Sequence, residues 1–483
     1  MLKSSAIYFL GRFGAALITL LSVAVYTRLL SPGEYGVYTL VMSGAIMAYA
    51  GMMHWLTSAL GRFLPAYQSE EGFLLSHVAL AYGAIALLVV AGACVLVPWL
   101  VPGGETRAAL ALGVGLFLTL SFAELSLVVF QMRGEAYRYV MLSFLRVAAA
   151  AGLGIALAVL GWGSIGLLVG ALAGHLCIVL SSLRVWSSAR HALVRRGFFR
   201  ELAAYGFPLA VTGALAAFIH ASDRYIISAL IGTDAAGLYA APYDLAMRSL
   251  HVLMLVVAMA GNPLIYQAFE TGGEAAARPL IRRQAELLLG AGLPASIGFA
   301  LLAPTIASIF LGEAFQATAR ELIPWIALAT LLQGLQSFYV ALAFALPKMP
   351  LRQTYVFILG AVTNLVLNLL LIPRMGVIGA ALATVLAYLL ILIGSFVTAR
   401  DLFTLPIPVS GLAKVLAASV VWTLILWPVR DTTALAPVLA HGLIASVAYL
   451  TILCALDVAG TRHLWIRASQ VAFGRLRPPP RSG

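Results

Sequence analysis

Fourteen apolar runs, each longer than 20 residues, leave this chain of 483 residues few choices of fold. About 20 apolar residues are enough to cross the hydrocarbon core of a bilayer as an α-helix. The chain is 62% hydrophobic and 10% charged, whereas about a quarter of the residues in a soluble protein are charged. A mainly aqueous surface is therefore excluded. We predict an all-α polytopic membrane protein with about 14 transmembrane helices, at residues 6–30, 37–60, 75–101, 108–131, 139–160, 164–186, 205–231, 236–266, 285–311, 322–346, 353–373, 377–399, 408–428 and 434–456.

The basic residues are distributed unevenly between the loops that join these runs. With an even number of spans, both termini lie on the same side of the membrane. Twenty Lys and Arg residues fall on that side and five on the other. Cytoplasmic loops carry the excess of Lys and Arg, so both termini are predicted to be cytoplasmic. The formal charge of +12 is explained by this orientation signal, and nucleic acid is not expected as a partner.

The chain carries no recognisable enzyme or cofactor motif. Its three cysteines, Cys94, Cys177 and Cys454, show no metal-ligand spacing, so we interpret them as small packing residues. No phosphate loop, nucleophile elbow or zinc helix motif is present. We therefore expect neither an enzyme nor a bound cofactor or metal.

Two pairs of similar segments indicate an internal duplication. LLSPGEYGVY (29–38) is matched 201 residues later by LIGTDAAGLY (230–239), and GWGSIGLLVGAL (161–172) resembles RMGVIGAALATVL (374–386). The repeat is thus six spans long, and because six is even, both copies share an orientation about an axis along the membrane normal. The predicted domains are an N-terminal six-helix lobe (1–187), a basic cytoplasmic linker (188–201), a second six-helix lobe (202–400), an extra two-helix hairpin (401–457) and a basic cytoplasmic tail (458–483).

Three long segments resemble a known transporter family. Residues 10–40, 207–240 and 360–386 are similar to the polysaccharide or O-antigen flippases of the multidrug/oligosaccharidyl-lipid/polysaccharide (MOP) exporter superfamily. The resemblance implies two lobes around a central cavity in a bacterial inner membrane. It also implies alternating-access translocation of an undecaprenyl-pyrophosphate-linked oligosaccharide, with membrane lipids and glycan-assembly proteins such as a polymerase as further partners.

Two other functions remain open at this point. The first is an ion-coupled multidrug exporter of the same superfamily, which would need a net acidic cavity for cationic drugs. The second is a membrane-embedded glycan polymerase or ligase, which would need a large outer loop carrying catalytic residues. The candidate cavity residues are more often basic than acidic, and all predicted outer loops are short. Both observations favour the flippase.

Ionisable residues inside the apolar runs are the candidate site residues, because charges are costly within a membrane and usually functional. Arginine suits a pyrophosphate because its planar fork binds phosphate oxygens in pairs. The predicted substrate-binding residues are Arg12, Arg146, Arg224 and Arg248. For Arg12 the structural alternative is a side chain that reaches the cytoplasmic headgroups.

Three acidic residues accompany these arginines as candidates for ion pairing or for coupling transport to protons. Glu124 and Arg146 lie on consecutive spans and can meet as a structural salt bridge. Asp244 and Arg248 are four residues apart, so they share a helix face and can pair. Asp223 precedes Arg224 but points about 100° away from it on a helix, so each is expected to contact a neighbouring helix.

Overall fold

The computed structural model describes residues 2–100, 103–187, 189 and 195–462. Across these ranges the regular structure is helical throughout, with no strand. The α-helices are α1 (Leu2–Leu29), α2 (Pro32–Met52), α3 (His54–Phe63), α4 (Glu71–Leu100), α5 (Glu105–Met132), α6 (Ala136–Leu157), α7 (Gly163–Trp186), α8 (Arg196–Leu230), α9 (Thr233–Leu301), α10 (Ala303–Phe310), α11 (Glu313–Leu335), α12 (Leu342–Ala345), α13 (Pro350–Met375), α14 (Val377–Ala399), α15 (Val409–Leu426) and α16 (Leu435–Ala455).

All fourteen predicted spans fall on these helices, which confirms the polytopic helical fold class. Within the described residues ten helical segments qualify as spans by length and composition, or eleven if α2 and α3, bent by 51°, form one span. The count is lower than fourteen partly because some neighbouring spans are counted together across a break. Spans eight and nine share the 69-residue α9, which is broken at Gly273 (φ 66°), and spans five and six lie in residues 136–186, which are broken at Gly161 (φ 86°).

The helices group into two compact units by the contacts they make. The first unit comprises Met1–Arg248, Ile309–Leu322 and Gln353–Ala387, and the second comprises Ser249–Ser308, Ile323–Arg352 and Tyr388–Gly483. The division into six-helix lobes, 1–187 and 202–400, stays a prediction, because these units are defined only by contacts. Part of the predicted linker (188 and 190–194) and most of the predicted tail (463–483) lie outside the described residues.

The core of the first unit is formed by apolar side chains from α3, α4, α5 and α7. Leu56, Leu74, Leu125, Phe130 and Leu168 are all completely buried in one cluster. These residues occupy helix faces turned towards neighbouring helices rather than towards lipid. The cluster therefore holds the N-terminal helices together as a scaffold.

The start of α2 is determined by local sequence. Ser31 is the N-cap residue, and its hydroxyl accepts a hydrogen bond from the backbone N–H of Glu34. The Glu34 carboxylate in turn accepts the backbone N–H of Ser31 at 2.9 Å, which completes a capping box. Pro32 occupies the first helical turn, where its missing N–H costs nothing.

The duplicated segments contact each other reciprocally within the first unit. A Cβ on Gly36 would overlap the backbone oxygen of Thr233, and a Cβ on Gly237 would overlap the backbone oxygen of Pro32. Gly36 and Gly237 occupy equivalent positions in the two copies, as do Pro32 and Thr233. Such an exchange of equivalent contacts is what a local two-fold axis produces.

The second pair of similar segments also adopts matching conformations. Gly163 (φ 50°) and Gly376 (φ 60°) both have the left-handed backbone that favours glycine. Three residues later, Gly166 and Gly379 each lie against the backbone of the preceding helix, where a Cβ would come within 3.1 Å of a main-chain atom. Each segment is therefore a tight turn between two antiparallel helices.

The second unit has its own buried cluster and carries the C-terminal hairpin. Met254, Leu288, Val340 and Phe344 are buried together. The hairpin of α15 and α16 packs on α9, where the Tyr449 hydroxyl donates a hydrogen bond of 2.7 Å to the carbonyl oxygen of Gly290.

Candidate functional site

A cavity of about 330 Å³ lies within the first unit, between the N-terminal helices and the beginning of α9. It is lined by charged, hydroxyl-bearing and apolar side chains from α1, α2 and α5 to α9. The polar lining residues are Thr19, Ser22, Tyr26, Tyr35, Tyr38, Thr39, Ser43, Glu124, Arg146, His175, Arg224, Asp244 and Arg248. Three of the four predicted substrate-binding arginines are therefore brought together.

Helical periodicity explains how two polar faces reach this cavity. On α1 the lining residues Thr19, Ser22 and Tyr26 follow the i, i+3, i+7 spacing of a single helix face. On α2 the face contains Tyr35, Tyr38, Thr39, Met42, Ser43 and Ile46, again separated by three or four positions. Each helix thus turns a hydroxyl-bearing stripe towards the cavity.

Arg224 is held by groups from two other helices. Its Nη2 donates to Asp244 Oδ1 at 2.6 Å, and its Nη1 donates to Ser43 Oγ at 3.1 Å. The guanidinium carbon also lies 5.5 Å from the centre of the Tyr243 ring, within the range of a cation–π contact. The Arg224 and Asp244 side chains are only 8% and 15% exposed, so this pair closes one wall of the cavity.

The expected pairing of Asp244 with Arg248 on the same helix is not what the structure has. Asp244 pairs with Arg224 of α8 instead. Spacing along α9 places Asp244 and Arg248 on one face, but α8 brings Arg224 within hydrogen-bond distance of the carboxylate. The ion pair of Asp244 is therefore formed between α8 and α9, and not within α9.

Glu124 and Arg146 form the second ion pair of the cavity. Arg146 Nη1 donates to Glu124 Oε1 at 2.7 Å, so the expected contact between α5 and α6 is present. Their side chains are 25% and 30% exposed, so both remain accessible from the cavity. Nearby, the His175 ring shares a hydrogen bond of 2.8 Å through Nδ1 with the carbonyl oxygen of Ala171.

Arg248 differs from the other two arginines because its side chain is exposed and unpaired. No carboxylate and no hydrogen-bond acceptor in the described part of the chain contacts its guanidinium. It lies close enough to Tyr35 and Tyr38 to interact with them electrostatically. Among the described lining residues three arginines face two carboxylates, so these residues carry one positive charge in excess when His175 is neutral.

Asp223 does not line this cavity. It is completely buried and accepts three hydrogen bonds, from Tyr239 Oη (2.8 Å), Thr384 Oγ1 (2.7 Å) and Asn368 Nδ2 (2.6 Å). These donors come from α9, α14 and α13, so Asp223 connects α8 to three other helices. Arg12 lies on α1, but its side chain is outside the described residues.

Comparison with known proteins identifies the family. The family model for polysaccharide biosynthesis proteins matches residues 25–320, which is more than half of the chain. The chain belongs to this family. The membership expected from the sequence is thereby confirmed. None of the curated proteins compared with the chain matches it.

Solved structures of a lipid II flippase and of a MOP superfamily transporter share the fold of this polysaccharide biosynthesis protein. The lipid II flippase MurJ, in an inward closed conformation, has a TM-score of 0.73 at 16% identity, over 94% of this chain and 99% of that chain. An inward-facing multidrug resistance MATE family transporter has a TM-score of 0.62 at 15% identity, over 80% of this chain and 94% of that chain. At these identities the similarity establishes the fold.

The charges within the apolar runs do not identify the tyrosine and hydroxyl side chains of the cavity, such as those of Tyr26, Tyr38 and Ser43. The signal was present, because the polar residues of α1 and α2 recur every three or four positions within otherwise apolar runs. A polar face of that kind in a membrane helix indicates a side turned away from lipid.

Proposed function

We propose that this protein is a flippase for an undecaprenyl-pyrophosphate-linked oligosaccharide, the repeat unit of a polysaccharide. Membership of the polysaccharide biosynthesis family supports the pathway. The cavity of the first unit supports the ligand class, because its lining suits a pyrophosphate headgroup. The single observation that carries the proposal is the unpaired, exposed guanidinium of Arg248.

Arg248 is suited to bind the headgroup because no described residue occupies its fork. A guanidinium can donate two parallel hydrogen bonds to phosphate oxygens. Arg146 and Arg224 already donate to carboxylates, so they shape and charge the wall while Arg248 makes the direct contact. An anion bound there neutralises the excess positive charge of the lining.

The remaining lining suits the rest of a lipid-linked sugar headgroup. The hydroxyl groups of Tyr26, Tyr38, Thr39 and Ser43 both donate and accept hydrogen bonds, as sugar recognition requires. A volume of about 330 Å³ matches the lower range of small-molecule sites. It holds a pyrophosphate with part of a sugar, while the polyprenyl tail stays in the membrane.

The charge of the cavity argues against a cation exporter of the multidrug type. Both acidic lining residues, Glu124 and Asp244, are neutralised by arginines within 2.7 Å. An organic cation would therefore meet a site with one positive charge in excess. Displacing either arginine would leave a partly buried charge without its partner, which is costly.

The proposal has consequences for location and movement. A flippase of this substrate works in the bacterial inner membrane, with both termini in the cytoplasm according to the distribution of basic residues. Alternating access would come from rocking of the two six-helix repeats, residues 1–187 and 202–400. Glycan polymerases and other assembly proteins would then act on the exported product.

The test replaces Arg248 by alanine and by lysine in cells that depend on this protein for glycan export. Loss of a hydrogen bond to a charged group costs about 1.5–3 kcal/mol, so Arg248→Ala is expected to reduce export about tenfold or more. Arg248→Lys keeps the charge but loses the fork, so its export should be intermediate. Binding of undecaprenyl pyrophosphate to the purified variants, measured by native mass spectrometry, should follow the same order.

Arg374→Gln is the matched control. Arg374 is an exposed arginine of the same unit that does not line the cavity, so its loss should leave export unchanged. All variants are compared at equal membrane levels. Wild-type export and binding by Arg248→Ala would refute the proposed role of this cavity.

A further inference from the structure

A second cavity of about 320 Å³ lies in the second unit, and no residue lines both cavities. It is formed where α9, the start of α15 and the turn after α16 meet. Three basic side chains line it, Arg282, Arg283 and Lys414, together with the turn at residues 457–460. The proposed flippase function makes no use of this cavity.

The walls of this second cavity are built by specific contacts around Glu286. Its Oε1 accepts a bond from Arg282 Nε at 3.3 Å, and its Oε2 accepts the backbone N–H of Ala459 at 2.9 Å. Gly411 permits this arrangement, because a Cβ there would overlap the Glu286 side chain. Ala459 has a positive φ of 55°, which is uncommon for a residue other than glycine, so the contact with Glu286 holds the turn in a constrained shape.

The acidic groups of this second cavity are engaged, whereas donors on two of its cations remain available. Glu286 is occupied as described, and Asp457 accepts the backbone N–H of Arg462 at 3.1 Å. Lys414 donates one of its three N–H groups to the carbonyl oxygen of Leu456 at 2.8 Å. Arg283 is exposed, and no acceptor among the described residues contacts its guanidinium.

We propose that this second cavity binds the phosphate group of an anionic molecule, with Arg283 as the principal contact and Lys414 as the second. Its two available cations line the same cavity, and a phosphate offers several acceptor oxygens to both. A membrane phospholipid and a soluble phosphate compound share this chemistry.

The position of the second cavity favours the phospholipid as the source. The cavity lies at the start of α15 and the end of α16, on the side that the sequence predicts to be cytoplasmic. Anionic headgroups are concentrated at the cytoplasmic membrane surface, and basic pockets between transmembrane helices bind them there. Ile407 and Val409 next to the cavity are 64% and 67% exposed, as expected for side chains that contact lipid.

The experiment measures lipid binding by the full-length protein purified in a neutral detergent. Short-chain phosphatidylglycerol, short-chain phosphatidylcholine and inorganic phosphate are added separately, and retained ligand is counted by native mass spectrometry. Phosphatidylglycerol is expected to bind more tightly than phosphatidylcholine. Arg283→Gln should weaken that binding about tenfold, since it removes a charge-assisted contact to phosphate, and Lys414→Gln should weaken it less.

Arg278→Gln is the matched control. Arg278 lies on the same helix but is paired with Glu274 at 2.8 Å and does not line the cavity, so its loss should change affinity less than twofold. If inorganic phosphate binds with the same dependence on Arg283 and phosphatidylglycerol does not bind, the site is supported and its ligand is soluble. If Arg283→Gln binds phosphatidylglycerol and phosphate as the wild type does, the proposal is wrong. Arg283 does not line the first cavity and Arg248 does not line the second. Lipid binding by Arg283→Gln and glycan export by Arg248→Ala therefore test the two proposals separately.

Discussion

The ion pair between Arg224 and Asp244 offers a quantitative test of the cavity's electrostatics. Replacing Asp244 by alanine leaves the Arg224 guanidinium, whose side chain is only 8% exposed, without its carboxylate partner at 2.6 Å. Breaking a buried pair from one side costs about 3–5 kcal/mol. Because Ser43 still accepts one bond, we expect the lower end, about 3 kcal/mol.

Thermal unfolding of the purified protein measures this cost. With a shift of about 2 °C for each kcal/mol in a large domain, Asp244→Ala should lower the apparent melting temperature by about 6 °C. Glu124→Ala is the internal comparison, because the pair of Glu124 with Arg146 is 25–30% exposed and should contribute about 1 kcal/mol or less. The double variant Arg224→Leu/Asp244→Leu should be more stable than Asp244→Ala, since it leaves no unpaired charge.

The melting temperature with added anion is a further test of the unpaired Arg224 in Asp244→Ala. The unpaired Arg224 in Asp244→Ala gains a ligand when inorganic pyrophosphate enters the cavity, and a ligand that binds only the folded state raises its stability. Pyrophosphate should therefore raise the melting temperature of Asp244→Ala more than that of the wild type. Equal losses from Asp244→Ala and Glu124→Ala, or a double variant less stable than Asp244→Ala, would refute the argument.

Two further predictions concern the buried hydrogen bonds of Asp223 and the packing of Gly36 and Gly237. Asp223→Ala leaves three buried donors without their acceptor, at about 1–3 kcal/mol each. It should therefore reduce the amount of folded protein in fluorescence-detected chromatography, whereas Asp223→Asn should retain most of the folded protein. Gly36→Ala and Gly237→Ala should each lower the melting temperature, because the added methyl overlaps a backbone oxygen of the other copy. Gly51→Ala in the same helix as Gly36 is the control, since nothing lies within 4 Å of its added Cβ, and a loss as large as that of Gly36→Ala would contradict the packing argument.

The spans and the charged residues that line the cavity could be predicted from the sequence, for a simple physical reason. The length of an apolar run directly reports a membrane crossing, because the bilayer imposes one thickness on every helix. The cost of a charge in hydrocarbon likewise singles out Arg146, Arg224 and Arg248 as residues that must face away from lipid. All three line one cavity.

The partners of these charges could not be predicted, because they depend on how neighbouring helices approach. Spacing along α9 makes Asp244 and Arg248 neighbours, yet the carboxylate bonds to Arg224 across the interface with α8. Asp223 shows the same limit, since its three donors lie on helices up to 161 residues away along the chain. The spacing of residues along one helix shows which of them share a face, but it does not show which residues of a neighbouring helix that face contacts.

The reciprocal contact of Gly36 and Gly237 has a consequence for how the cavity acquired its asymmetry. If two identical six-helix chains associated about the local two-fold axis of this contact, every residue near the axis would be present twice. Within a single chain each of the two similar segments can vary alone: both contain the glycine, while Glu34 and Tyr35 stand opposite Ala235 and Ala236 in the other segment. Tyr35 therefore projects into the cavity from one half only, which lets a single chain recognise a ligand that is itself asymmetric.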